Sequence, residues 1–127
     1  MGKLCALLAP AELGSVAGLE GLQEPTVAVR SPVTTCTFSD PNRPVSLTVR
    51  FEAGRTPSDF AEIRQLHDKM GHTTTDLPGL GEAAASFSAG GYSGVTFLHA
   101  GTVITVNGPA SIDRLVAVAR KLIERMG

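Results

Sequence analysis

The amino-acid sequence predicts an α+β domain in which a single antiparallel sheet carries its helices mainly on one face. Three patterns indicate it: apolar–polar alternation over 45–51, and capped amphipathic helices over 56–71 and 111–126. A hairpin-like segment precedes each of these helices and a short helical segment begins the chain, so the predicted order is α-ββα-ββα. Helices in this order cover the apolar face of one sheet, and residues 1–127 suit a single domain.

The first helix is predicted over 10–18, "PAELGSVAG". Pro10 suits the first helical position, where its missing N–H costs no hydrogen bond. Leu13 and Val16 share one face, and Gly18 is a typical helix stop.

The next two segments are predicted strands. Residues 26–38, "TVAVRSPVTTCTF", are rich in β-branched side chains, and Pro32 interrupts them, which favours an edge strand or a bulge. The turn formers "DPNRP" separate them from "VSLTVRF". Apolar residues of the second segment face one way: Val45, Leu47, Val49 and Phe51. This alternation is typical of a hairpin strand with one face in water.

The middle helix has the clearest start and stop signals. Thr56 is a good N-cap, Pro57 fits the first turn, Asp59 complements the helix dipole, and Gly71 ends the helix. Apolar residues at helical spacing form its predicted inner stripe: Phe60, Ile63, Leu66 and Met70. If the domain binds a small apolar ligand, the predicted site lies between this stripe and the sheet.

The second half repeats the strand-then-helix order. Residues 72–91 are predicted as part loop and part strand, and 94–106 as a hairpin that turns at "HAG", with His99 at its tip. Ser111 then caps the last helix. That helix has a broad apolar face made of Ile112, Leu115, Val116, Ala119, Leu122, Ile123 and Met126.

Composition argues against several classes of function. The formal net charge is −1 and the basic residues are scattered, so neither nucleic-acid binding nor docking to an anionic membrane is predicted. No apolar run approaches the roughly 20 residues that span a bilayer, so no transmembrane segment is predicted in this chain. The glycine-rich "LPGLGEAAASFSAGG" lacks the lysine of a phosphate-binding loop.

The two cysteines, Cys5 and Cys36, leave two interpretations open. A lipid-anchor cysteine needs an export segment before it, whereas zinc and redox sites usually need close cysteine pairs. Two buried thiols in a cytoplasmic protein and a structural disulfide remain, and we predict the disulfide. It would attach the N-terminal segment to the sheet, with a contribution of about 3–4 kcal/mol, and would favour an oxidising compartment.

Five segments in order resemble an actinobacterial family of secreted or lipid-anchored α+β domains of unknown function. They are "CALLAPAELGSVAG", "CTFSD", "LPGLGEAAASF", "AGTVITV" and "LVAVARKLIERM". The resemblance implies that the two cysteines pair and that the domain is extracytoplasmic. The sequence shows no export signal or anchor cysteine before Cys5, so a lipid anchor would have to be encoded upstream. The resemblance supplies no catalytic residues.

The strongest candidate for chemistry is the group of His67, Asp68 and His72 at the end of the middle helix, with Asp76 as a further candidate metal ligand. They could reach a common metal ion, or they could be solvated residues at a helix C-terminus. We predict no catalytic residue, cofactor or metal. The predicted function is a non-enzymatic extracytoplasmic domain that binds a partner protein or a small lipophilic ligand. The alternatives are an accessory envelope domain that acts only by protein contact, and a small metal-dependent enzyme that uses His67 and His72.

Overall fold

The computed structural model describes residues 2–126 and confirms the α+β class with one antiparallel sheet. Helices α1, α2 and α3 span Pro10–Ala17, Pro57–Lys69 and Ile112–Met126, and a 3-10 helix spans Gly2–Ala6. Seven strands are β1 (Thr26–Arg30), β2 (Val33–Asp40), β3 (Val45–Ala53), β4 (Thr73–Asp76), β5 (Ala83–Ala89), β6 (Tyr92–His99) and β7 (Thr102–Gly108). Their spatial order, β1-β2-β3-β7-β6-β5-β4, leaves β1 and β4 at the two edges.

The segment predicted as one interrupted strand, 26–38, is two strands. The chain turns at Ser31 and Pro32, so β1 and β2 pair as an antiparallel hairpin with Val27 opposite Cys36. Proline donates no ladder hydrogen bond, which is why the strand divides there. The edge position that Pro32 favoured is confirmed for β1.

The second half forms the other side of the sheet. Residues 72–91, predicted as part loop and part strand, contain β4 and β5. The hairpin predicted at "HAG" is confirmed, but His99 is not at its tip: it is the last residue of β6 and pairs with Thr102, the first residue of β7. Its turn places Ala100 and Gly101 at φ 48° and 78°, a conformation that glycine adopts without strain.

One face of the sheet carries the main core. The 3-10 helix, α1 and α3 pack there against apolar side chains of the central strands, such as Leu47, Phe51 and Ile104. On the other face, α2 lies over β4, β5 and β6, where Phe60 packs against Leu98 and Val103. Helices therefore lie mainly, but not entirely, on one face, as predicted.

The helix ends follow the predicted caps. Thr56 and Asp59 form a reciprocal capping box, in which the Asp59 amide donates to Thr56 Oγ1 at 3.2 Å and the Thr56 amide donates to Asp59 Oδ2 at 2.9 Å. The Arg114 amide donates to Ser111 Oγ at 3.3 Å at the start of α3. Gly18, at φ 74°, ends α1. These local signals fix where each helix begins and ends.

Candidate functional site

The predicted disulfide is present. Cys5 Sγ and Cys36 Sγ are 2.02 Å apart, and both residues are buried in the main core. The bond joins the 3-10 helix to the second strand of the sheet. It therefore attaches the N-terminal segment to the sheet, as the sequence indicated.

The core around this disulfide is filled. The cavity beside it, lined by Cys5, Leu13, Phe38 and neighbouring apolar side chains, has a volume of about 10 Å³. That volume is no larger than one water molecule needs. It leaves no interior room at this point for a small lipophilic molecule.

The predicted apolar stripe of α2 is divided by the structure. Phe60 is buried and Ile63 is half-buried against the sheet, but Leu66 and Met70 are 55% and 57% exposed. The inward position one turn after Ile63 belongs to His67. The prediction that all four apolar residues share one sheet-facing stripe is therefore wrong, because α2 is rotated to place His67 against β5.

The two histidines of the predicted constellation do meet. Their Nδ1 atoms are 2.8 Å apart, and their ring centroids are 5.1 Å apart. The distance between the ring centroids is close to the Nδ1–Nδ1 distance plus two ring radii. The two Nδ1 atoms therefore point at each other, as in an N–H···N hydrogen bond. Both rings stack on Phe87, with centroids at 4.2 Å for His67 and 5.7 Å for His72. One ring must donate and the other accept.

The acidic residues nearby are engaged elsewhere. Arg64 Nε donates to Asp76 Oδ1 at 2.7 Å, and Arg64 Nη1 donates to Asp68 Oδ2 at 3.1 Å. Thr74 Oγ1 donates to the other oxygen of Asp68. Within residues 2–126, no three histidine, cysteine or acidic side chains are arranged to hold a metal ion. The structure brings His67 and His72 together but gives them no third ligand.

The environment of the pair disfavours protonation of His67. Burial lowers the pKa of His67, and the charge that His72 can carry lowers it further. The Asp68 carboxylate opposes both effects. His67 therefore favours its neutral form, which suits a structural contact between α2 and β5.

An open apolar sheet edge is the feature that the sequence analysis missed. Among residues 2–126, β2 is the only strand that pairs with β1, and all five residues of β1 are exposed. Val27 and Val29 are 42% and 45% exposed, although valine is usually buried. Val27 lies opposite the buried Cys36, so both valines point to the core side of the sheet. The apolar alternation in "TVAVR" was the available signal.

A groove borders this edge. It has a volume of about 370 Å³ and lies between the segment after the 3-10 helix and the start of β1, where Leu8, Pro25 and Val27 line it. The opposite edge, β4, has the sequence "TTTD" and offers no apolar side chain. Proteins normally protect an edge strand with charges or a cover, so the apolar β1 edge with its groove is the candidate interaction site. We call it the β1 edge.

Comparison with known proteins finds no matching family model, no similar curated protein and no similar solved structure. The family resemblance therefore stays a prediction. In the part of the chain that the structure describes, no helix is both long and apolar enough to cross a bilayer.

Proposed function

We propose that this domain is a non-enzymatic, extracytoplasmic protein-binding domain that binds an extended segment of a partner protein along the β1 edge. The observation that carries the proposal is the edge position of β1, where Val27 and Val29 are about half exposed and Val27 lines a groove. An extended segment that adds to a sheet edge gains affinity from main-chain hydrogen bonds. Pockets for its alternate side chains then give specificity.

The geometry of the edge indicates which partner segment would fit. Side chains on one face of the added strand would lie beside Val27, Val29 and the groove, so apolar residues at alternate positions are favoured. Those on the other face would lie beside Thr26, Ala28 and Arg30 and can be polar or acidic. The preferred partner segment is thus an alternating apolar–polar strand.

Three observations support the remaining parts of the proposal. The buried Cys5–Cys36 disulfide favours an oxidising compartment, in agreement with the family resemblance. The volume of about 10 Å³ beside it favours a protein partner over a lipophilic molecule held in the core. The non-enzymatic role is supported by the way His67 and His72 bond to each other rather than converge on a third point.

The test is a selection of random extended peptides, displayed on phage, against the oxidised protein. We expect enriched peptides with alternating apolar residues. Their affinity should fall at least tenfold on Val29→Lys, because a lysine blocks a sheet edge, and should be unchanged on Met70→Lys. Met70 is the matched control, since it is an exposed apolar side chain (57%, against 45% for Val29) but lies at the C-terminal cap of α2.

Enrichment of no peptide on the wild-type protein would overturn the proposal. Equal binding to the wild type and to Val29→Lys would also overturn it, provided that circular dichroism shows both proteins folded. Loss of binding on Met70→Lys would move the site from β1 to α2.

A further inference from the structure

We infer that the β1 edge is self-complementary and that a second copy of this chain is one of its partners. In this arrangement the two β1 strands pair antiparallel around a two-fold axis that lies between the two copies of Ala28, and the two sheets become continuous. The inference rests on the proposed function, because it names a partner for the same edge. Such an interface is isologous: the same patch is used on both copies.

The symmetry limits the possible registers. A two-fold axis perpendicular to the sheet keeps each side chain on its own face, and directly opposed residues of antiparallel strands share a face. The axis must therefore lie midway between the two copies of one residue, which face each other across it. With Ala28 as that residue, the whole of β1, Thr26–Arg30, takes part in the strand pairing.

The apolar side chains match in this register. Val27 lies opposite the partner's Val29, and Val29 lies opposite the partner's Val27, so the contact occurs twice. Both valines lie on the core side of the sheet and are about half exposed, and Val27 lines the groove with Leu8 and Pro25. Pairs of β-branched side chains directly across antiparallel strands are favourable. The pairing covers the apolar surface of both valines that is exposed in the single chain.

The charges match as well. Arg30 lies opposite the partner's Thr26, and the diagonal neighbour on the same face is the partner's Glu24. Such diagonal positions are about 7–8 Å apart, within reach of an arginine and a glutamate. The chain around Glu24 still follows β2, since the Gln23 amide donates to the Ser39 carbonyl at 3.0 Å.

Both charged residues are available for this contact. Arg30 and Glu24 are exposed, and neither forms an ion pair with any residue that the structure describes. By symmetry the arrangement forms two Arg30–Glu24 pairs and brings no like charges together. A five-residue strand pair buries little area, so we expect a weak, concentration-dependent dimer.

The test is sedimentation equilibrium of the oxidised protein over about a hundredfold range of concentration. The wild type should dimerise more as concentration rises. Arg30→Glu and Glu24→Arg should each raise the dissociation constant about tenfold, since each turns two attractions into two repulsions. The double reversal Glu24→Arg/Arg30→Glu should restore the wild-type constant to within about threefold.

Arg120→Glu is the matched control, because Arg120 is exposed on α3 without an ion pair among the described residues, and its dissociation constant should equal that of the wild type. A wild type that stays monomeric at every concentration would overturn the inference. So would a double reversal that dimerises no better than the single variants.

The two proposals fail separately. If the wild type stays monomeric and Val29→Lys abolishes binding of the selected peptides, the second-copy inference is overturned and the proposed function stands. A dimer that obeys the charge reversal but selects no peptide supports the inference and overturns the binding of a foreign segment. A monomer that selects no peptide overturns both.

Discussion

Removal of the disulfide by Cys5→Ala/Cys36→Ala should cost this domain a large part of its stability. The bond closes a loop with a sequence separation of 31 residues. For a loop of that length, the chain-entropy relation gives about 12 cal/mol/K, which is about 4 kcal/mol at 25 °C. A domain of this size is typically stable by about 5–15 kcal/mol, so the loss should be easily measured.

Urea unfolding followed by circular dichroism measures this loss. The double variant should unfold at lower urea, with its melting temperature lower by about 15 °C. Reduction of the wild-type protein should lower its stability by the same amount and should leave the double variant unchanged. A loss below about 1 kcal/mol, or a reductant effect on the variant, would refute the conclusion that this bond holds the N-terminal segment on the sheet.

Three further predictions concern stability, each measured by urea unfolding. Burial lowers the pKa of His67, so this residue binds a proton more tightly in the unfolded chain than in the folded one. The stability that neutral His67 contributes should be fully present above its ordinary pKa of 6.5 and should be lost as the pH falls through the lowered pKa. His67→Gln should flatten that decline. Stability that rises on acidification would contradict this. Thr56→Ala should cost about 1 kcal/mol at neutral pH through loss of the capping box, and an unchanged midpoint would contradict it. Gly94→Ala should lower the free energy of unfolding by about 1–3 kcal/mol, because the added Cβ would lie 2.5 Å from Phe87 Cε1. An unchanged free energy of unfolding would contradict this and would show that the Phe87 ring can move aside.

Local signals in the sequence were sufficient for much of the fold. The capping box at Thr56 and Asp59, the hairpin turn after His99 and the alternation over 45–51 all depend on neighbouring residues, and all appear in the structure. The disulfide was also accessible, because Cys5 and Cys36 were the two cysteines available to pair.

Rotation of α2 could not be read from the sequence. Leu66 and His67 both lie about one turn after Ile63, and hydrophobicity alone favours leucine for the inner face. His67 faces the sheet because its ring stacks on Phe87 of β5 at 4.2 Å and its Nδ1 atom bonds to His72. Both partners lie outside α2, so the sequence of the helix alone does not predict which side chain faces inward.

The exposure of Val27 and Val29 could not be predicted from the sequence for a similar reason. The sequence indicates a strand there, but whether its apolar residues are covered depends on the position of the strand in the sheet and on which helices lie over it. β1 is at the edge, and α1 and α3 pack over the central strands. The candidate site is thus a property of topology rather than of a motif.

The most direct test of the account is amide hydrogen exchange across β1, with and without a saturating selected peptide. The account predicts that outward-facing amides within Thr26–Arg30 gain at least about tenfold protection, while those of the other edge strand, Thr73–Asp76, stay unchanged. Protection on Thr73–Asp76 or α2 with none on β1 would contradict it.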